Sequence, residues 1–275
     1  MAHLTRSFLV GFLLCLSFVA RAADPVAFVS DIRGDVVMTG AGRPPFLAEL
    51  LPGSRLVLGS EASAAVMYVV SGEEFTLEGP GEFVVTGTGV KAITGPAPSR
   101  RSPALRVSAS VVAQSSRTAT ASLRMRSAPV PKAERTGPLY PVNARIATLQ
   151  PTLRWSGEAG TTYTVVVTSA AGKEVFRGGT KGPSLRLPSR LVAGQGYSWT
   201  YSAATAAPGD SRFETLASDA IATAEKARSA AKTFADRVLL ALVLQDLGAA
   251  QDAREVWAQL AAERPDIPEL AGLSR

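Results

Sequence analysis

The sequence predicts a mainly β protein in which an antiparallel β-sandwich or roll is followed by a second β-sandwich and then by an all-α helical hairpin. Three observations lead to this fold class. Short β-prone runs separated by glycine and proline recur from Val26 to about Gly95, and a second group of such runs begins near Leu149. After Ser218 the apolar residues recur with a helical period. Runs of about five residues at spacings of about ten are typical of antiparallel sheets, and a period of about 3.6 is typical of helices.

Residues 1–22 have the pattern of a secretory signal peptide. Arg6 precedes an apolar run over residues 7–20, which is 14 residues long and shorter than the roughly 20 residues that cross a membrane. Ala20 and Ala22 fit the two small positions of an A-x-A cleavage site. We therefore expect cleavage near Ala22, a periplasmic or otherwise secreted mature chain, and no transmembrane anchor.

The predicted signal peptide contains the only histidine and the only cysteine of the chain, His3 and Cys15. The mature chain would then have no imidazole base, no thiol nucleophile, no disulfide and no Cys/His zinc site. Glu74 and Glu78 lie on one strand, and we expect both on its solvated face and not in a carboxylate pair for glycoside hydrolysis. The sequence has no D-x-D-x-D cluster for an oxygen-ligated metal. We expect no enzyme activity, no cofactor and no metal site.

The first β-rich segment, residues 23–95, has apolar runs and glycine turns in a recognisable order. Ile32-Arg33-Gly34-Asp35-Val36 is followed by Leu51-Pro52-Gly53-Ser54-Arg55-Leu56, and Phe75-Thr76-Leu77 precedes Gly79-Pro80-Gly81-Glu82-Phe83. This order resembles the FecR-type periplasmic domain. The resemblance implies a link to signalling, because members of that family relay signals from an outer-membrane transporter to a sigma factor. The chain departs from that plan, since it shows no anti-sigma segment and no membrane span ahead of the domain, and we do not expect direct transmembrane signalling.

Residues 96–142 are basic and rich in proline. Between Pro96 and Arg135 stand eight basic residues and one acid, a local net charge of +7, whereas the whole chain carries +6. Pro-rich segments of this kind are typical of extended linkers. Within the segment, 104–109 and 119–126 are candidates for strands. We expect one or two extra strands that extend the first domain, bordered by flexible ends.

The arginines of this segment give a candidate binding site. Concentrated positive charge outside the cytoplasm favours anionic lipid, lipopolysaccharide or acidic cell-wall polymer over nucleic acid. The side chains expected to contact such a polyanion are Arg100, Arg101, Arg124 and Arg126. An ordinary basic linker explains the same residues, and both interpretations stay open.

Residues 143–216 form the second predicted β domain. The runs 162–167 and 174–177 are expected to pair as a hairpin. A Pro-x-Leu-x-Trp phrase ends at Trp155 and a Gly-x-x-Tyr-x-Trp phrase ends at Trp199, an arrangement that resembles a fibronectin type III or immunoglobulin-like sandwich. Alternation puts the neighbouring tyrosines on the same face as Trp199, so we expect both tryptophans in the core and not stacked on carbohydrate.

Residues 217–275 are predicted to be helical. Ser218 is expected to cap a first helix that ends at about Lys232. Two further helices are expected over 234–247 and 250–264.

The spacing of small and large residues in the last two helices resembles a tetratricopeptide helical hairpin. The residues at those positions are Leu240, Ala241, Leu244, Gly248, Ala253, Trp257, Leu260 and Pro265. The resemblance implies that Trp257 fills the groove between the helices. One repeat cannot bury its own face, so we expect the preceding helix to cover it. An unrelated helical hairpin is the alternative.

Three functional interpretations follow. In the first, the chain is a non-catalytic FecR-domain adaptor of the cell envelope, in which the β domains present binding faces and the helical hairpin docks a partner protein. In the second, it binds an anionic envelope polymer, peptidoglycan or lipopolysaccharide. The third is a hydrolase built on Ser229-Ala230-Ala231-Lys232, which matches S-x-x-K but lacks the companion S-D-N and K-T-G phrases. We favour the first.

Overall fold

The computed structural model describes residues 24–102, 106–125, 136–204 and 206–275, with the backbone alone at 122–125 and 206. The expected signal peptide, residues 1–22, lies outside these ranges. Within them, no helix has both the length and the apolar character needed to cross a membrane. The mainly β fold class with a helical C-terminal region is confirmed.

The N-terminal β domain has two sheets. Its strands in the described residues are β1 Ala27–Arg33, β2 Val36–Met38, β3 Glu49–Leu50, β4 Arg55–Leu58, β5 Ser63–Tyr68, β6 Glu74–Glu78, β7 Gly81–Val85, β8 Val90–Thr94 and β9 Ser99–Arg101. The order β3-β1-β5-β6-β9 forms what we call the inner sheet, and β2-β4-β7-β8 forms the outer sheet. Neighbouring strands in both sheets are antiparallel.

The inner sheet is buried on both faces. Val66, Leu77 and Phe83 belong to the core between the two sheets, whereas Phe28 and Met67 point the other way and pack with the helices. This explains why β5 is apolar at almost every position, since a strand covered on both faces has no wet side on which to alternate.

The basic segment contains a strand and a helix. β9 pairs with β6 and extends the inner sheet, but it lies before both segments that were candidates for strands. The strand expected at 119–126 is wrong, because Ala109–Met125 is a helix, α1. Among its described side chains, Val112, Ser115 and Ala119 are buried, at the three- and four-residue spacing of a helix face. That face packs on the C-terminal helices, and 106–108 form no strand.

The second β domain is a sandwich of two sheets. Its strands in the described residues are β10 Pro138–Tyr140, β11 Ala144–Ile146, β12 Thr152–Trp155, β13 Thr162–Ser169, β14 Glu174–Lys181, β15 Ser184–Arg186, β16 Gly196–Ala203 and β17 Ala206–Thr215. The short sheet has the order β10-β12-β15 and the long sheet the order β11-β17-β16-β13-β14. The order β13-β16-β17 matches the C-F-G order of immunoglobulin-like sandwiches.

The sequence interpretation of this domain is confirmed in its core. Trp155 and Trp199, one from each sheet, are fully buried, and both rings lie beside Tyr201. β13 and β14 form the expected hairpin. The domain begins earlier than the expected residue 143, because Pro138–Tyr140 pairs with β12 and supplies the first strand of the short sheet.

The C-terminal region in the described residues contains α2 Ser218–Ala230, α3 Phe234–Asp246, α4 Ala250–Glu263 and the short α5 Leu270–Leu273. Ser218 is not the cap of α2, because Ala217 holds that position and no side chain caps the helix. Thr233 caps α3 instead, in a reciprocal capping box with Asp236. Gly248 ends α3 with a φ of +80°, a backbone conformation that favours glycine.

Trp257 is fully buried in the helical cluster, as the sequence indicates. This cluster also contains residues of α1, of the N-terminal domain and of the sandwich, namely Val112, Phe28 and Ala147. The helices therefore share one core with both β domains.

Candidate interaction surface

Two of the four arginines predicted to contact a polyanion lie side by side on β9. Arg100 forms an ion pair with Glu73. Arg101 binds Glu74 at 2.8 Å and Asp236 at 2.6 Å. Arg124 lies in α1, where only its backbone is described, and Arg126 lies outside the described residues. The charges of the described pair are thus engaged within the chain, and their binding to a polyanion stays a prediction.

Arg101 joins the inner sheet to the helices. Glu74, expected on an exposed face, is only 5% exposed, because β9 and the start of α3 cover this end of β6. Burial raises the pKa of Asp236, but hydrogen bonds from Thr233 and Arg101 outweigh it, and the net pKa is below its ordinary value. Asp236 is therefore ionised at neutral pH and serves both the α3 cap and this junction.

An aromatic contact forms the second link between the N-terminal domain and the helices. The Phe46 ring lies edge-on to Phe234 and Trp257, with centroids 6.4 and 6.2 Å apart. Nearby, Arg264 binds the carboxylate of Asp31 at 2.7 Å. The chain itself therefore occupies the helical surface around Trp257.

The sandwich is joined to the helices through a buried carboxylate. Asp252 of α4 accepts hydrogen bonds from the Tyr140 hydroxyl at 2.6 Å and from the Ala147 backbone N–H at 2.7 Å. Arg228 of α2 lies 3.4 Å from the same carboxylate and donates to the Ala147 carbonyl at 2.6 Å. Burial raises the pKa of Asp252 more than these hydrogen bonds lower it.

An open groove of about 710 Å³ lies on the outer face of the long sheet. Strand pairing places Ser198 of β16 between Thr168 of β13 and Arg212 of β17. The parallel pairing of β11 with β17 brings Arg145 beside Glu214. These five residues line what we call the sheet groove.

The sheet groove carries charged and hydroxyl side chains beside apolar lining residues such as Ala170 and Phe213. Arg145 and Arg212 are exposed, and neither guanidinium has an ion-pair partner in the part of the chain that the structure describes. Glu214 is the one acid among the lining residues that the structure describes. Hydroxyl groups of Thr168 and Ser198 add donors and acceptors. The groove can therefore make hydrogen bonds and charge-assisted contacts with a polar, acidic surface.

The sheet groove was not predicted from the sequence, although the residue pattern of β16 indicates part of it. In β16, Ser198 and Thr200 alternate with the buried Tyr197, Trp199 and Tyr201, which marks the polar side of the strand. Which residues lie beside this polar side depends on how the strands pair. The parallel pairing of β11 with β17 cannot be predicted from the sequence of either strand.

Comparison with known proteins gives no family for this chain. No family model matches it, and no curated protein matches it. In the described ranges, histidine, cysteine and acidic side chains form no group of three or more that could hold a metal ion. Ser229 is exposed in the last turn of α2 and donates to the Lys226 carbonyl at 2.8 Å.

Proposed function

We propose that this protein is a periplasmic, non-catalytic FecR-domain adaptor of the cell envelope, and that a partner protein docks in the sheet groove. The observation that carries the proposal is the groove itself. It is open, and charged and hydroxyl side chains line it together with apolar ones. Protein interfaces that form and dissociate are of this mixed, polar character.

The framework of the molecule supports an adaptor role. The helices contact the N-terminal domain through Phe46 and Arg101, and the sandwich through Asp252. These contacts fix the sheet groove relative to the N-terminal domain. A partner bound in the groove would then be held at a fixed position relative to any molecule that binds the N-terminal domain.

The charge of the groove specifies the chemistry of the partner. Arg145 and Arg212 offer two exposed guanidinium groups, which bind carboxylates in a fork geometry. We infer that the partner presents Asp or Glu side chains, with small polar residues opposite Thr168 and Ser198.

Photo-crosslinking in intact cells tests this proposal. A benzophenone amino acid at Ser198 is expected to yield an adduct with an envelope protein, identified by mass spectrometry. The same probe at Ser229, an exposed serine on α2 away from the groove, is the matched control and is expected to yield no such adduct. Reversing charge with Arg145→Glu and Arg212→Glu should abolish the Ser198 adduct, because electrostatic attraction to an acidic partner becomes repulsion.

The proposal fails if Ser198 captures no protein, or if Ser198 and Ser229 capture the same protein equally well. It also fails if the charge-reversed chain, expressed at the level of the unchanged chain, gives an undiminished adduct.

A further inference from the structure

A second opening, separate from the sheet groove, lies where the sandwich meets the helices. It has a volume of about 540 Å³. Among the described residues, four guanidinium groups and two carboxylates line this arginine cleft: Arg154, Arg186, Arg190, Arg228, Glu225 and Glu255. Positive charge is therefore in excess by two among the lining side chains.

Two of the arginines are held by exposed carboxylates. Arg190 lies 3.2 Å from Glu225, and both side chains are more than half exposed. Arg154 forms an ion pair with Glu255, and its guanidinium lies 5.1 Å from the centre of the Tyr140 ring. Ion pairs between exposed side chains are weak, because water and salt screen them. A more highly charged anion can therefore displace these carboxylates.

The other two arginines differ in whether their guanidinium groups already bind other groups of the chain. Arg228 is committed to Asp252 and to the Ala147 carbonyl. Arg186 of β15 is exposed, and in the described ranges its guanidinium has no ion-pair or hydrogen-bond partner. β15 pairs with β12 so that Arg186 stands opposite Thr152, which also lines the cleft. Arg186 is thus a positively charged group that is free to bind a ligand, and the Thr152 hydroxyl beside it can donate a hydrogen bond.

The charge balance favours a phosphate over a carboxylate as the ligand. A ligand carboxylate would offer nothing that Glu225 and Glu255 do not already supply from within the chain. A phosphate group has close to two negative charges and three acceptor oxygens, which match several guanidinium forks at once.

We propose that the arginine cleft binds a phosphate group, with Arg186 as the primary contact and Arg154 and Arg190 turning to it from their glutamates. The phosphate comes either from a small dissolved compound or from a lipid headgroup. This site goes beyond the adaptor function, since it lies on a different face from the sheet groove and takes a different ligand.

Titration calorimetry of the chain without residues 1–22 tests the proposal, with inorganic pyrophosphate as the probe at constant ionic strength. Arg186→Gln is expected to weaken binding at least tenfold. Arg177→Gln removes an exposed arginine on β14 that pairs with Glu174 outside the cleft, and it should leave affinity unchanged. Co-sedimentation with phosphatidic acid vesicles, against phosphatidylcholine vesicles, reports the headgroup source.

Either probe bound in an Arg186-dependent way supports the site, and the probe that binds more tightly identifies the source. The proposal is overturned if neither pyrophosphate nor phosphatidic acid vesicles bind. It is equally overturned if Arg186→Gln, with an unchanged circular dichroism spectrum, binds both probes as the unchanged chain does.

Discussion

Replacing Phe46 with alanine is expected to lower the free energy of unfolding by about 3–5 kcal/mol, the range for a large buried aromatic side chain. Phe46 is almost fully buried and makes edge contacts with Phe234 and Trp257. The truncation opens a cavity where the N-terminal domain meets the helices. Urea denaturation of the chain without residues 1–22, followed by circular dichroism, measures the change.

Val70→Ala is the control for Phe46→Ala, because Val70 is 81% exposed. Surface substitutions of this kind change stability by about 0.5 kcal/mol or less. If Phe46→Ala cost no more than Val70→Ala, the described contact between the N-terminal domain and the helices would be wrong.

Asp252→Ala is expected to cost about 3 kcal/mol, as is usual when one member of a buried charged cluster is removed. The change leaves the Tyr140 hydroxyl and the Ala147 N–H without their acceptor, and Arg228 without its carboxylate. Chemical denaturation at pH 7 measures the loss. Asp210→Ala is the control, since Asp210 is an exposed acid on β17.

A double variant tests why Asp252→Ala lowers stability: through loss of the carboxylate itself, or through the hydrogen-bond donors that are left without an acceptor. Burial raises the pKa of Asp252 above its ordinary value, so the ionised carboxylate is costly to bury. Most of the loss in Asp252→Ala should then come from the partners left unsatisfied. Adding Tyr140→Phe removes one of them and is expected to recover part of the stability. Strictly additive losses in the double variant would contradict this explanation.

Strands such as β5, β13 and β16, and the last two long helices, could be predicted because their signals are local. The alternation around Trp199 and the glycine between α3 and α4 are visible within a few residues. Helix α1 was missed because its segment is rich in Ala, Ser and Thr, which leave few large side chains to show a period. Its helical face becomes clear only through packing on the C-terminal helices.

The arrangement of the charged surfaces was harder to predict, because the residues that meet there are distant in sequence. Local charge density indicated Arg100 and Arg101 as candidate contacts for a polyanion. It did not indicate the acids that bind them within the chain. Alternation placed Glu74 on a wet face, whereas β9 and α3 bury it. The sheet groove depends on Arg145 meeting Glu214 across a parallel strand pair. Such pairings have no signature in the sequence around either residue.

The helices join both β domains into one body, which fixes the position of the sheet groove. Differential scanning calorimetry of the chain without residues 1–22 tests it most directly. One body predicts a single transition in which the calorimetric and van't Hoff enthalpies agree. Two or more separate transitions, with the sandwich melting apart from the N-terminal domain, would contradict the claim.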